Sequence, residues 1–281
     1  MSYIIAIGAY LVLLMIYGLV IAHKTVKTTD DMMTGGHKIP FIILVGSLLA
    51  TWCGGGGITG SAGVVYTGGP WVGALTFAAP PIGIILLYFI AGKVRKSNKV
   101  TVPEIMGARY GTVASIISAL CVMLAYVGVL ATQLKAAANI LVLLCSSSNI
   151  EMSHGMALAI CTVIVVIITV GGGLVSVAYS DAVSALIMIG GFFLAIPILM
   201  HAASTQGAVL PPEKTALTGG MSGWTILGYF LPSLALMLGD QNMLQRFASA
   251  KNSDEAKKSN IGMFIGELLV IISIIALVTQ A

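Results

Sequence analysis

The sequence predicts an all-α integral membrane protein with about eight transmembrane helices, each needing about 20 mostly apolar residues to cross the hydrocarbon. The first observation is composition: of 281 residues 58% are hydrophobic and 9% are charged, and the mean hydropathy is +1.01. A soluble domain carries about 25% charged residues, so a water-soluble globule is excluded. The second is length: apolar runs repeatedly reach the width of a bilayer, without the period-two alternation of a membrane barrel. The third is that basic residues alternate from loop to loop, as the positive-inside rule requires.

The runs extend approximately over Tyr3 to Ala22, Phe41 to Tyr66, Pro70 to Gly92, Thr112 to Cys145, Ser153 to Val170, Ser176 to His201, Trp224 to Ala248 and Asn260 to Thr279. The first has no basic leader region or A-x-A site, so it reads as a retained span. Lys24, Lys27 and Lys38 follow the first run, Lys93, Arg95, Lys96, Lys99 and Arg109 the third, and Arg246, Lys251, Lys257 and Lys258 the seventh, whereas the opposite loops hold only Lys214. This asymmetry puts the N-terminus outside and the basic loops in the cytoplasm. The protein is therefore expected to be a multi-pass protein of the plasma (inner) membrane, with the lipid bilayer as its solvent.

Several function classes drop out. The net charge of +4 is spread over short loops, and nucleic-acid binding needs Lys and Arg clustered on one face. Cys53, Cys121, Cys145 and Cys161 lie in or at the ends of apolar runs without metal-ligand spacing, and read as small buried hydrophobes. The four-glycine run lacks the Gly-Lys-Ser/Thr of a phosphate loop, and no Ser/His/Asp set is present. Neither an enzyme nor an organic cofactor is expected.

The second run contains SLLATWCGGGGITGSAG, with consecutive glycines from Gly54 to Gly57. A glycine costs about 1 kcal/mol relative to alanine in a helix interior, so the run predicts an unwound stretch. Counted from Phe41 at 1.5 Å per residue, Cys53 lies about 18 Å in, near the midplane. Unwound backbone at that depth is tolerated only where it lines a cavity or is buried in protein, and secondary transporters use such breaks to hold ions and substrate. The alternative is a glycine-rich packing face.

Ionisable residues inside the spans each need a reason, because a charge at a helix centre costs about 2.5 to 3.5 kcal/mol on insertion scales. Asp181 sits roughly 7 Å inside the sixth span, as a helix-start carboxylate or as a functional group. Asp240 is about 24 Å below the outer face. With Gln241, Asn242, Gln245 and Arg246 it forms a polar end to the seventh span, either a helix terminus or an inner vestibule. Lys135 is placed to snorkel outward, and Gln133, about 200° from it on the helical wheel, can then face the core. Glu267 should face protein, as a candidate proton or ion ligand.

The stretches DDMMTGG (Asp30 to Gly36), TWCGGGG, GGGLVSVAYSDAV (Gly171 to Val183) and GDQNMLQRFASAKN (Gly239 to Asn252) together resemble the sodium/solute symporter family, in order and in spacing. The resemblance covers nearly the whole chain. It implies the inverted-repeat, broken-helix (LeuT-like) transporter fold as a single membrane domain over residues 1–281, incomplete at its C-terminus. Residues 1–23 would be an extra N-terminal helix, 41–201 the first five-helix repeat and 224–281 the start of the second. It implies sodium as the coupling ion, held by backbone carbonyls that carry over to Ala50 and Cys53, with Asp181 along the inner sodium path. Thr51, Trp52, Gly54, Gly55 and Gln133 become candidate contacts for a small organic solute, and Asp240, Gln241, Gln245 and Arg246 a candidate inner gate. A different function class, the membrane sensor region of a signalling protein such as a histidine kinase, shares this resemblance. The last apolar run reaches the end of the chain, so the chain is expected to be part of a longer protein. With only two helices of the second repeat to set against the first, proteoliposomes of residues 1–281 alone should show no sodium-driven solute accumulation.

Overall fold

The computed structural model describes residues 2–206 and 211–280. Among them the chain is helical apart from short connections and one isolated bridge between Ile39 and Ala250. The helices are α1 (Ser2–Thr25), α2 (Thr29–Thr34), α3 (Phe41–Trp52), α4 (Gly55–Gly68), α5 (Pro70–Thr76), α6 (Ala79–Ser97), α7 (Val102–Tyr110), α8 (Thr112–Ser146), α9 (His154–Gln206), α10 (Pro212–Thr215), α11 (Gly223–Gly239), α12 (Gln241–Ser249) and α13 (Ser253–Gln280).

Each expected run is found as helix, with four differences in how the runs are joined, the first being the turn at Phe77 and Ala78 that divides the third run into α5 and α6. The second run is two helices, α3 and α4, bent by 56°. The seventh also breaks, at Asp240, whose extended backbone (φ −67°, ψ 115°) separates α11 from α12. The fifth and sixth runs, expected as two spans with a connection at Val170 to Ser176, form the 53 residues of α9, which bend at Gly173 instead of passing through a loop. A straight helix of that length would be about 80 Å long, far beyond a hydrocarbon core of about 30 Å. Gly173 supplies the bend because its φ of +54° is a left-handed conformation and because a Cβ there would sit 2.5 Å from the Met32 carbonyl oxygen.

The core lies between α3, α6, the second half of α9, α11, α12 and α13, around Leu44, Leu48, Ile84, Leu87, Met237, Met243, Phe247 and Met263. Its backbones approach closely where small residues meet: a Cβ on Gly46 would lie 2.7 Å from the Cα of Ala182, the packing expected of helices with no hydrophobic drive between them. The opposite surface is apolar, with Leu124, Val127, Leu186 and Ile198 each more than two-thirds exposed, as lipid-facing side chains must be. Cys121 is on that surface, not buried as its type predicts, whereas Cys145 is buried.

The first basic loop is built locally. Thr28 and Asp31 form a reciprocal capping box at the start of α2, and the Thr28 hydroxyl, with the Lys27 and Thr28 amides, holds the Asp31 carboxyl below its ordinary value. Beyond it His37 Nδ1 meets the Ala248 carbonyl oxygen at 2.6 Å, which ties this loop to α12. Replacing Gly173 with Ala should destabilise the purified protein by at least about 1 to 2 kcal/mol, the cost of a side chain in the left-handed region, read as a lowered thermal midpoint in detergent. Gly190→Ala, on the same helix with open space around its Cα, serves as the control.

Candidate functional site

The break in the second span is two residues wide. Cys53 ends α3 by donating its N–H to Leu49 O at 2.8 Å, then leaves helical geometry (φ −80°, ψ 46°). Gly54 (φ −70°, ψ 164°) starts α4 and accepts from Ile58 N–H at 3.0 Å. Gly55, Gly56 and Gly57 are helical, so the unwinding is shorter than the glycine count predicts. Their use is access. Gln133 of α8 accepts the Gly56 N–H at 2.9 Å and so satisfies one of the free amides of a helix start. A Cβ on Gly54 would stand 2.4 Å from Gln133 Nε2.

The other end of the break is held from α13. Glu267, 4% exposed, accepts from Trp52 Nε1–H at 3.1 Å and from Cys53 Sγ–H at 3.2 Å, one donor to each carboxylate oxygen. Beside these groups lies a cavity of about 420 Å³, within the range of a small-molecule site. Thr51, Trp52, Cys53 and Gln133 line it, as do Asp240 and Glu267. Ala50, Gly54 and Gly55 do not line it, although Gly56 and Gly57 do.

A second cluster pins the basic end of the bundle. Arg246 of α12, 4% exposed, meets Asp181 of α9 through Nη2 and Oδ2 at 2.9 Å. Ser47 of α3 joins both: its hydroxyl donates to Asp181 Oδ2 at 2.8 Å and accepts from Arg246 Nε–H at 2.7 Å. Ser47 O in turn accepts from the Thr51 hydroxyl at 2.7 Å, which links the cluster to the break one turn away. Asp181 therefore meets an arginine here.

A family model described as "Sodium:solute symporter family" matches residues 32–281. The chain belongs to the sodium:solute symporter family. Among curated relatives it is 26% identical over 276 residues to the high affinity choline transporter 1 of Homo sapiens, a match covering 90% of this chain and 46% of that one. It is 26% identical over 257 residues to the sodium/proline symporter of Salmonella typhimurium, covering 82% of this chain and 47% of that one. The chain thus spans less than half the length of these relatives. Its fold is that of a Na+-coupled sialic acid symporter solved in a substrate-bound outward-open state, with a TM-score of 0.73 at 17% identity over 97% of this chain and 58% of that one. The chain is thus a multi-pass helical membrane protein of LeuT-like fold.

Within this family member the polar end of the seventh span is not one unit. Asp240 caps α12 by accepting Met243 N–H at 2.8 Å, and Tyr126 OH accepts the Asn242 N–H at 3.1 Å beside it. Gln241 clamps the connection between α6 and α7, accepting from Val102 N–H at 2.7 Å and donating to Val100 O at 3.2 Å. Gln245 donates to Met33 O at 2.8 Å. Of these residues Asp240 and Asn242 line the cavity, and Arg246 is committed to Asp181. Sequence reasoning passed over Ser47 and Tyr126, whose types carry no signal in a span, and identified Glu267 without its partners. A lone acid in an otherwise apolar span was the available clue.

A double-mutant cycle with Asp181→Asn and Arg246→Gln should give a coupling energy of about 1 to 3 kcal/mol in thermal or denaturant stability, with Arg246→Gln the more damaging single change because it strands a carboxylate.

Proposed function

We propose that the chain forms the ion- and solute-binding part of a sodium-coupled secondary transporter for a small organic solute. Sodium is the coupling ion and no chemical step is catalysed. The observation that carries this reading is the helix break at Cys53 and Gly54 opening onto a cavity of about 420 Å³, in a chain of this family. The basic loops belong to the cytoplasmic side, with the N-terminus outside in the plasma (inner) membrane.

In this reading the carbonyls of Ala50 and Cys53, left without helical partners where α3 stops, hold sodium. Thr51, Trp52 and Gln133 border the solute, while Gly54 and Gly55 shape the break. The Asp181–Arg246–Ser47 cluster, with Gln241 and Gln245 lacing α12 to neighbouring loops, holds the inner side closed. Asp240 forms its upper edge. Inward opening requires α12 to part from α3 and α9, which frees the Asp181 carboxylate to meet the departing ion. Sodium favours the outward-facing state that accepts solute, so each ligand raises the other's affinity.

The intact protein in proteoliposomes should accumulate its solute under an inward sodium gradient and stop when potassium replaces sodium. Undiminished uptake in potassium would overturn sodium coupling, and dependence on a proton gradient would replace it. Arg246→Ala should lower steady-state accumulation several-fold by weakening inner closure, while raising efflux from preloaded vesicles.

A further inference from the structure

Away from the cavity at the break, α6 and α13 enclose a groove of about 280 Å³ on the outer side of the bundle. Its α6 wall is Ile85 and Phe89, and at helical spacing the same stripe runs on into Lys93 and Lys96 at the basic end. Its α13 wall is Ile261 and Phe264, preceded one turn earlier by Lys257. Ile85, Phe89 and Ile261 are exposed, as are Lys93 and Lys96. From Lys93 back to Ile84 is about 14 Å along the helix axis, so the groove leads from the basic end down to acyl-chain depth.

Two polar groups here lack the partners their chemistry calls for. Asn260, which lines the groove and is 1% exposed, donates through Nδ2 to Ile84 O at 2.6 Å, whereas its Oδ1 accepts no hydrogen bond. A buried acceptor without a donor is destabilising, and a ligand that brings the donor relieves it. Lys257 is half-buried, with Nζ 6.0 Å from the centroid of the Tyr88 ring. Gly92 lets it lie against α6, since a Cβ there would stand 2.8 Å from Lys257 Cε. Among the described residues the ion pair of a basic side chain with a carboxylate is Arg246 with Asp181, so Lys257 has no resident counter-charge. The acids of the first turn of α13, Asp254 and Glu255, sit where the helix dipole offsets them. Asn260 is about 4.5 Å deeper than Lys257 along the axis.

The order of these groups selects a ligand. An anion at Lys257, a hydrogen-bond donor one turn deeper at Asn260, and hydrocarbon beyond it along Phe89 and Phe264 describe an amphiphile, because a free ion would leave the apolar walls unused. An ionised phosphodiester offers only acceptor oxygens, so the donor must lie between the phosphate and the chain. A diacyl glycerophospholipid has ester acceptors at that place, whereas a single-chain one has a glycerol hydroxyl. We propose that the groove between α6 and α13 binds an anionic lysophospholipid, with its phosphate at Lys257 and its glycerol hydroxyl donating to Asn260 Oδ1. Lys93 and Lys96 add attraction for a head group without positive charge. The site is separate from the cavity at the break and does not depend on the transport reading.

The test is native mass spectrometry of the intact protein in detergent, titrated with lysophosphatidylglycerol, its 2-O-methyl ether, lysophosphatidylcholine and diacyl phosphatidylglycerol. Lysophosphatidylglycerol should bind about fivefold more tightly than lysophosphatidylcholine, the scale of a basic residue meeting an anionic lipid, and several-fold more tightly than the ether or the diacyl lipid, which lack the donor. Lys257→Gln should weaken it about fivefold, while Lys258→Gln, at the neighbouring exposed position, should leave it unchanged. Asn260→Leu should erase the preference over the ether, with the thermal midpoint in detergent reporting whether that variant is folded. Ile261→Trp, at an exposed position, fills the groove without replacing either polar group and should lower binding at least about fivefold. Equal binding of lysophosphatidylglycerol and its ether to the wild-type protein would overturn the proposal, as would equal losses in Lys257→Gln and Lys258→Gln. Wild-type binding by Ile261→Trp, the result for a groove covered by another segment of the intact protein, would also overturn it.

Discussion

Backbone inside a bilayer has no water to bond, and each amide left unpaired there costs several kcal/mol. The two residues at which the second span leaves helical geometry therefore oblige other helices to come to them. Gln133 of α8 supplies an acceptor to the Gly56 amide, and Glu267 of α13 ties down the side chains of Trp52, at the end of α3, and Cys53, in the break. The helical penalty of the glycines, about 1 kcal/mol each, is small beside the cost of an unsatisfied break. What the glycines contribute is room, since any side chain at Gly54 would collide with Gln133. The cavity follows from that arrangement, because α4 diverges from α3 by 56° and the space between them is bounded by the helices that satisfy the break.

The basic end of the molecule obeys a different constraint. Arg246 and Asp181 are taken largely out of water, and such a pair gains little net stability over well-packed apolar side chains. Its value is geometric: it fixes α12 against α9, and Ser47 brings α3 into the same knot. Around it the connections are sewn by backbone acceptors. Arg95 donates through Nε to Ala250 O at 2.5 Å, and Gln241 and Gln245 bond carbonyls of two other segments. These are numerous, individually modest bonds to main-chain groups, which separate more readily than an apolar core of the same extent. The molecule thus combines a cavity bounded by the helices that satisfy the break with a basic end tied together by polar contacts.

Amino-acid order alone determined the features that depend on local quantities. Apolar length placed the helical runs, and consecutive glycines after Trp52 located the break to within a residue. These were legible because each is a property of a short window of chain. Rotation about each helix axis was not, since spans apolar on all sides carry no stripe to mark the inward face. For that reason only the tertiary structure decided that Asp240 borders the cavity while Gln241 and Gln245 serve the loops, that Cys121 is exposed, and that Glu267 reaches the break. It also decided that the break involves two residues instead of four, and that α9 bends at one glycine without a loop. In both cases the outcome turned on whether a neighbouring segment, Gln133 or Met32, could approach a backbone bare of Cβ, and that contact lies about 79 and 141 residues away along the chain, beyond the reach of any local propensity.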